Sequence, residues 1–562
     1  MHQLNQALQA GYAAFQRGDL VTARRKLSGF EHPKAVHLLA LVEKAAGNQE
    51  TAASLFARAV SDDPNDPEIA NNQAVLAMQM GQLEMAEQAF RRALAIKANF
   101  KQAATGLGRL LIDAKRWEDA AAVYEPLLVS APQDPVVRYG YASVQLETGA
   151  VESAEATFDA LINSGDDAAA IMFMRARARL ELGRTDEAID DLRKSFADGP
   201  NDVCLRVYAG ALWMTGDHDG FSRLLAAAAN QVDLVVTAAD LYRQSVQPEK
   251  AIAVLAAARQ VFSLPADAWT VEATAWIDLN DAPAAEKAAR TCLAEESNNR
   301  IVQGSLITAL LMQGKADEAL KYTKSMRKAE PNDQHWIACE ATALRLLGSK
   351  SYNKLVDMDR FVRSYALPVP EGFEDIESFN RAFLKVLDRW HLYKTHPLEQ
   401  SLREGSQTPR DLTTIDDPVI RAYVSALDQP IRQYMEDIGN GDDHPMTARN
   451  TGNYKLTGSW SIKLQGGGWH VNHVHPEGWI SSSYYVVVPE ETKTADDKAG
   501  WIKFGEPPFA TTPPTPPQKW IRPEAGLLVL FPSYMWHGTV PIHDDSIRVT
   551  APFDAVPIDR AV

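Results

Sequence analysis

A turn residue followed five positions later by alanine recurs along roughly the first 350 residues. It reads Gly18…Ala23, Gly47…Ala52, Gly81…Ala86, Lys115…Ala120, Gly149…Ala154 and Gly183…Ala188. Looser copies follow at Gly216, Val246…Ala251, Asn280…Ala285 and Gly314…Ala319. From Gly47 to Gly183, and again from Val246 to Gly314, every step is 34 residues. Glycine accepts the positive φ of a tight turn between two helices, and alanine lets those helices approach closely. Asp63-Pro64-Asn65-Asp66-Pro67, Ala131-Pro132-Gln133-Asp134-Pro135 and Glu330-Pro331-Asn332-Asp333 punctuate successive pairs. One such pair cannot bury its apolar face alone, so the period predicts a stack in which each unit is completed by its neighbours.

An aromatic four positions after the alanine, as in Ala52/Phe56, Ala86/Phe90, Ala120/Tyr124 and Ala154/Phe158, makes the pattern resemble the tetratricopeptide repeat. The resemblance implies an α-solenoid over residues 1–350, with a concave face that binds a peptide or protein. A purely structural spacer is the alternative. Trp117, Trp213, Trp269 and Trp276 read as packing residues rather than ligand contacts.

A chain of 562 residues is too long for one core, so further domains are expected. The net charge of -16 argues against general nucleic-acid binding, which needs an excess of cations to displace phosphate counterions. Cys204, Cys292 and Cys339 are scattered, with no CxxC spacing, and read as small buried residues in a reducing compartment. No apolar run is long enough to span a membrane and the N-terminus begins polar, so a cytoplasmic location is the expectation.

The period fades after about Lys350. A helical connector is expected over 351–394, with a helix near Ser378–Tyr393, and a second domain over 395–562. After Asn450 short β-rich runs appear: Ser459–Leu464, Trp479–Val488, Trp501–Phe504, Leu527–Phe531 and Arg548–Phe553. Gly, Pro and Asp loops separate them, which predicts a small antiparallel barrel or jelly roll. The proline-rich stretch from Pro507 to Pro517 cannot supply strand hydrogen bonds and is expected on a rim.

Five of the thirteen histidines fall between His470 and His543. If Trp469–Pro476 is a strand, His473 and His475 share a face and His470 takes the other. Two imidazoles on one face, with His537 returning from a later strand, is how a β-scaffold can hold a transition metal. His470 then reads as structural or substrate-side, and His543, two residues after Pro541, as an ordinary loop residue.

Gly468-Trp469-His470-Val471-Asn472-His473-Val474-His475-Pro476-Glu477-Gly478-Trp479 and Gly526-Leu527-Leu528-Val529-Leu530-Phe531-Pro532-Ser533-Tyr534-Met535-Trp536-His537-Gly538 resemble the 2-oxoglutarate/Fe(II) oxygenase family often fused to tetratricopeptide arrays. The resemblance implies a double-stranded β-helix, and therefore a multidomain chain, α then β. It also implies Fe(II), with 2-oxoglutarate and O2 as co-substrates. Its His-x-Asp/Glu…His metal triad maps onto His473, His475 and His537, with an imidazole at His475 where the family carries a carboxylate. Alternatives at that position are a two-histidine site with His475 behind it, or a carboxylate from Glu477. A basic residue about ten positions past the distal histidine binds 2-oxoglutarate in this superfamily, and Arg548 lies eleven beyond His537. Thr550, of the same strand parity, and Tyr485 are further candidates for the co-substrate.

The function implied is hydroxylation of a side chain on a peptide or protein presented by the repeats. A small metabolite is the other substrate class. A barrel that has lost catalysis and serves as an interaction scaffold, or a Zn or Mn protein of cupin type, would explain the same histidines.

Overall fold

The structure, a computed structural model, describes residues 2–165, 168–398 and 400–558. The chain packs as two compact units, Met1–Ala178 and Arg179–Val562. Among the described residues, twenty-one helices run from His2–Gln16 to Gln334–Leu346, and the first twenty form ten successive pairs. The turn residues read from the period all sit at positive φ, including the non-glycines Lys115 (56°), Val246 (61°) and Asn280 (59°). Each paired alanine from Ala23 to Ala319 is fully buried, as are Phe56, Phe90 and Phe158.

Local chemistry sets the helix starts. In the Asp-Pro dipeptides, Asp66 and Asp134 accept hydrogen bonds from the two backbone N–H groups beyond the proline, which occupies the first helical position where no N–H is needed. Within the first unit, the Tyr124 ring lies so close to Gly108 and Gly140 that a Cβ at either would meet it at 2.4 Å. Glycine at both positions is therefore a packing requirement. Val246 is the opposite case: a β-branched residue held left-handed at an exposed turn, 69% accessible. Val246→Gly is expected to raise stability by about 1 kcal/mol, since the left-handed conformation costs a side chain about that much. An unchanged urea midpoint would show that the turn stores no strain.

The second unit joins the repeats from Arg179 onward to everything that follows, so the change in sequence texture near Lys350 is not a packing boundary. Among the described residues eleven strands form here: β1 Arg363–Ala366, β2 Leu402–Gln407, β3 Tyr454–Ser459, β4 Ile462–His470, β5 Ile480–Val487, β6 Ile502–Phe504, β7 Lys519–Ile521, β8 Leu527–Pro532, β9 His537–Thr539, β10 Arg548–Thr550 and β11 Phe553–Pro557. One antiparallel sheet runs β1-β8-β5-β10-β4-β2, with β11 pairing β5 and β3; a smaller one runs β7-β6-β9. This is the β-sandwich expected of a jelly roll.

Two expectations need correction. Residues 351–394 are not only a helical connector: β1 lies among them and pairs with β8 at the edge of the large sheet, and the helix there spans Ile376–Leu387. The run Ser459–Leu464 is not one strand but the end of β3, a break at Trp460-Ser461, and the start of β4.

The repeats of this unit grip the sandwich directly. The Trp213 Nε1–H donates to the His396 carbonyl at 3.1 Å, and the Tyr393 hydroxyl donates to the Leu180 carbonyl at 2.7 Å. Thr395 Oγ1 donates to the Trp213 carbonyl at 2.8 Å, and Leu398 is buried among the repeat side chains. Arg345 donates to the carbonyls of Gly505 and Pro516, at 2.8 and 2.7 Å, which fastens the proline-rich β6–β7 connection to the array.

Candidate metal centre

β4 ends at His470, so the expected strand through Pro476 does not form. Instead the chain continues extended and pairs with the segment entering β9. The His473 N–H donates to the His537 carbonyl at 2.8 Å, the His537 N–H donates back at 3.1 Å, and the His475 N–H donates to the Ser533 carbonyl at 3.0 Å. His473, His475 and His537 converge, with ligand atoms all within 4.8 Å of one another. Among the described residues no carboxylate belongs to this group. Glu477, in the turn after Pro476, is exposed and lies outside it.

Each of the three rings is held by its Nδ1. His473 Nδ1 lies 2.8 Å from the Val471 carbonyl, and His537 Nδ1 lies 2.9 Å from the Met535 carbonyl. Both acceptors are oxygens without protons, so each Nδ1 must carry the hydrogen, and in the neutral ring Nε2 keeps a bare lone pair. His475 Nδ1 lies 2.5 Å from Asp554 Oδ2, with the same consequence. Burial, with the neighbouring His475, pushes His473 down to about 3, and burial beside His473 holds His537 well below the usual histidine range. Both rings are therefore neutral at physiological pH, as metal ligation requires.

Asp554 supplies what the triplet lacks. Its second oxygen accepts from the Ser481 hydroxyl at 2.7 Å, and Ser481 in turn meets the Ser533 hydroxyl at 2.8 Å. A negative charge thus stands behind His475, one ring away from the ligand atoms. Sequence reasoning missed it. The available signal was a single acid within the apolar run Ala551–Val556, in the strand after Arg548.

His470 also departs from the parity argument. The chain leaves the strand after it, and its ring stacks 6.0 Å from that of His473 rather than facing away. The Ser401 hydroxyl sits between them, 3.1 Å from His470 Nδ1 and 3.3 Å from His473 Nε2. His543 is a loop residue, as expected, paired with Glu491 at 2.6 Å.

A cavity of about 660 Å³ opens over the imidazoles, and Arg548 and Thr550 of β10 form part of its wall. Arg548 is 2% exposed, and among the described residues its Nε and Nη1 have no hydrogen-bond partner within bonding geometry. A buried guanidinium with unmatched donors is costly unless an anion completes it. Tyr485 is placed differently from the expectation. It is not on the cavity wall but behind it, with the Arg548 guanidinium 5.2 Å above its ring.

The segment that carries these histidines also matches a known family. Residues 458–554 match the family described as "Putative 2OG-Fe(II) oxygenase", and tetratricopeptide repeat models match 37–104, 77–138, 111–176 and 152–203. The chain thus combines segments that match tetratricopeptide repeats with a C-terminal segment that matches the family described as putative 2OG-Fe(II) oxygenases. That family implies Fe(II), 2-oxoglutarate and O2. Among solved structures, a tetratricopeptide repeat protein from Parabacteroides merdae is 14% identical, over 55% of this chain and 100% of its own (TM-score 0.32). PilF of Pseudomonas aeruginosa is 18% identical, over 35% and 93% (TM-score 0.32). A thermophilic repeat protein of Thermus thermophilus is 25% identical, over 32% and 99% (TM-score 0.27). No curated protein sequence matches the chain. Among the described residues no helix is long and apolar enough to cross a membrane.

Proposed function

We propose that this chain is a 2-oxoglutarate- and Fe(II)-dependent hydroxylase acting on a side chain of a peptide or protein held by its repeats. The observation that carries the reading is the set of three imidazoles, each with Nδ1 committed to an acceptor and Nε2 left unprotonated, beside a buried arginine with unmatched donors. The residues fit the cofactor. His473, His475 and His537 would hold Fe(II) through Nε2, and Arg548, with the Thr550 hydroxyl, would receive the far carboxylate of 2-oxoglutarate. Bound iron supplies the oxidising chemistry, coupling decarboxylation of 2-oxoglutarate by O2 to hydroxylation of a substrate C–H bond.

The protein's own part is orientation and exclusion of water. The Val471 and Met535 carbonyls and the Asp554 carboxylate fix the tautomer of each imidazole, so no ring has to turn when metal arrives. The sandwich buries Arg548, which makes its Nε and Nη1 strong donors toward a carboxylate and poor hosts for anything neutral. The cavity is large enough for the co-substrate and an incoming side chain together. Tetratricopeptide repeats commonly bind proteins or peptides, which supports a polypeptide substrate.

Asp554→Asn should weaken divalent metal binding by about 10- to 100-fold, the usual cost of losing a partner behind a metal-binding histidine. Competition with a chromophoric chelator measures it. Affinity equal to wild type would mean that Asp554 is a packing residue. The absence of a carboxylate from the triplet favours a second reading, a non-catalytic scaffold. Succinate release with Fe(II), 2-oxoglutarate and peptide substrates separates the two. To find the substrate, partners captured by an iron-site variant are incubated with the wild-type enzyme and searched by mass spectrometry for one added oxygen.

A further inference from the structure

The last helix of the array, Gln334–Leu346, touches both segments that carry the metal-site histidines. Its first residue, Gln334, donates its backbone N–H to the Pro476 carbonyl at 3.0 Å, immediately after His475. A first-turn N–H has no acceptor inside its own helix, so this donor is free to serve the neighbouring chain. Two turns along, Thr342 accepts a hydrogen bond from Trp536 Nε1 at 3.0 Å, immediately before His537. The Thr342 hydroxyl spends its own hydrogen on the Ala338 carbonyl at 2.9 Å, which fixes its lone pairs toward the indole. His335 adds an edge contact to Trp536, with ring centroids 6.0 Å apart and planes at 90°. Thr342 and Trp536 are 4% and 6% exposed, so water does not compete for these bonds.

Trp536 lies between Met535, whose carbonyl orients the His537 ring, and His537 itself. Anchoring its indole therefore anchors the peptide units on both sides. Pro476 stands in the same relation to His475. One rigid helix thus spans two ligand-bearing segments that are otherwise joined through the His473–His537 backbone bridge and the His475–Ser533 bond.

We propose that this repeat helix is a working part of the metal centre, with Gln334 and Thr342 as positioning residues that act through Pro476 and Trp536 to set the placement of His475 and His537. The inference rests on the metal-site reading above. It assigns the final repeat a role in the chemistry of the barrel, beyond holding a partner.

Paired substitutions in the full chain, loaded with Co(II), test it. Gln334→Pro removes the donating N–H at a first-turn position where proline is tolerated, along with the side-chain bond to the Asn332 carbonyl that Gln334→Ala also loses, and Asp333 before it already has the extended backbone that a proline demands (φ -68°, ψ 117°). Gln334→Ala keeps the N–H. Thr342→Val removes the acceptor and Thr342→Ser restores it. We expect Co(II) affinity to fall by about 10-fold in Gln334→Pro and Thr342→Val, with a changed Co(II) visible spectrum, while Gln334→Ala and Thr342→Ser resemble wild type. Wild-type affinity and spectrum in all four would overturn the inference. If His537→Ala binds Co(II) as tightly as wild type, the metal-site reading itself fails, and that result is recognisable without the repeat variants. Far-UV circular dichroism checks that each protein is folded; should Thr342→Val unfold, the Gln334 pair decides.

Discussion

His537→Ala is expected to bring succinate release from 2-oxoglutarate down to background. Removing a group that merely supports a metal ligand costs about 10- to 100-fold, so removing a ligand should exceed about 100-fold. The substitution is unusually clean. The backbone of residue 537 makes the two bonds to His473, and alanine preserves them. What disappears is an imidazole with a bare Nε2 and its bond to the Met535 carbonyl. The weak visible band of Fe(II) combined anaerobically with 2-oxoglutarate should disappear in parallel. His475→Ala refines the result: an equal loss means three histidine ligands, whereas retained activity means a two-histidine site. Turnover in His537→Ala matching wild type across the peptides tried would end the catalytic reading.

The second large effect concerns Arg548. Arg548→Ala should raise the 2-oxoglutarate concentration needed for half-maximal turnover by about 10- to 100-fold, the worth of a hydrogen-bonded charge pair of about 1.5–3 kcal/mol. At saturating co-substrate much of the rate should return, because the histidine cluster is untouched. The same variant should behave oppositely in stability. A buried cation with two unmatched donors destabilises the ligand-free protein, so its removal should raise the ligand-free melting temperature. It should also abolish the further rise that 2-oxoglutarate produces in wild type. Arg548→Lys should recover little, since an ammonium cannot reproduce the planar fork. An unchanged 2-oxoglutarate dependence would remove Arg548 from the site.

Much of the helical half was legible because its signal repeats. Lys115, Val246 and Asn280 could be read as left-handed turn residues from spacing alone, although their side chains argue against it. That His473, His475 and His537 meet, with Arg548 lining the same cavity, was legible because the residue types are few and their spacing is specific. The parity argument failed at His470, where the chain leaves the sheet and alternation no longer governs side-chain direction. Strands β6, β7, β9 and β10, three residues each, are too short for a period of two to register. Asp554 was invisible for another reason: its meaning comes from His475, 79 residues earlier in the chain. Thr342 is further still, 194 residues from Trp536. Such contacts are created by folding and leave no local trace.

The extended segment around Tyr393–Leu398, laid along the repeats near Leu180 and Trp213, has a consequence for how this lineage can vary. A repeat stack normally gains or loses units freely, because each touches only its neighbours. Before Ala178 that freedom holds within a self-contained unit. Beyond it, inserting or deleting one repeat between Leu180 and Thr342 would shift the ledge that seats Tyr393 relative to the helix that seats Trp536. Repeat number should therefore drift among relatives in the first unit and stay constant in the second.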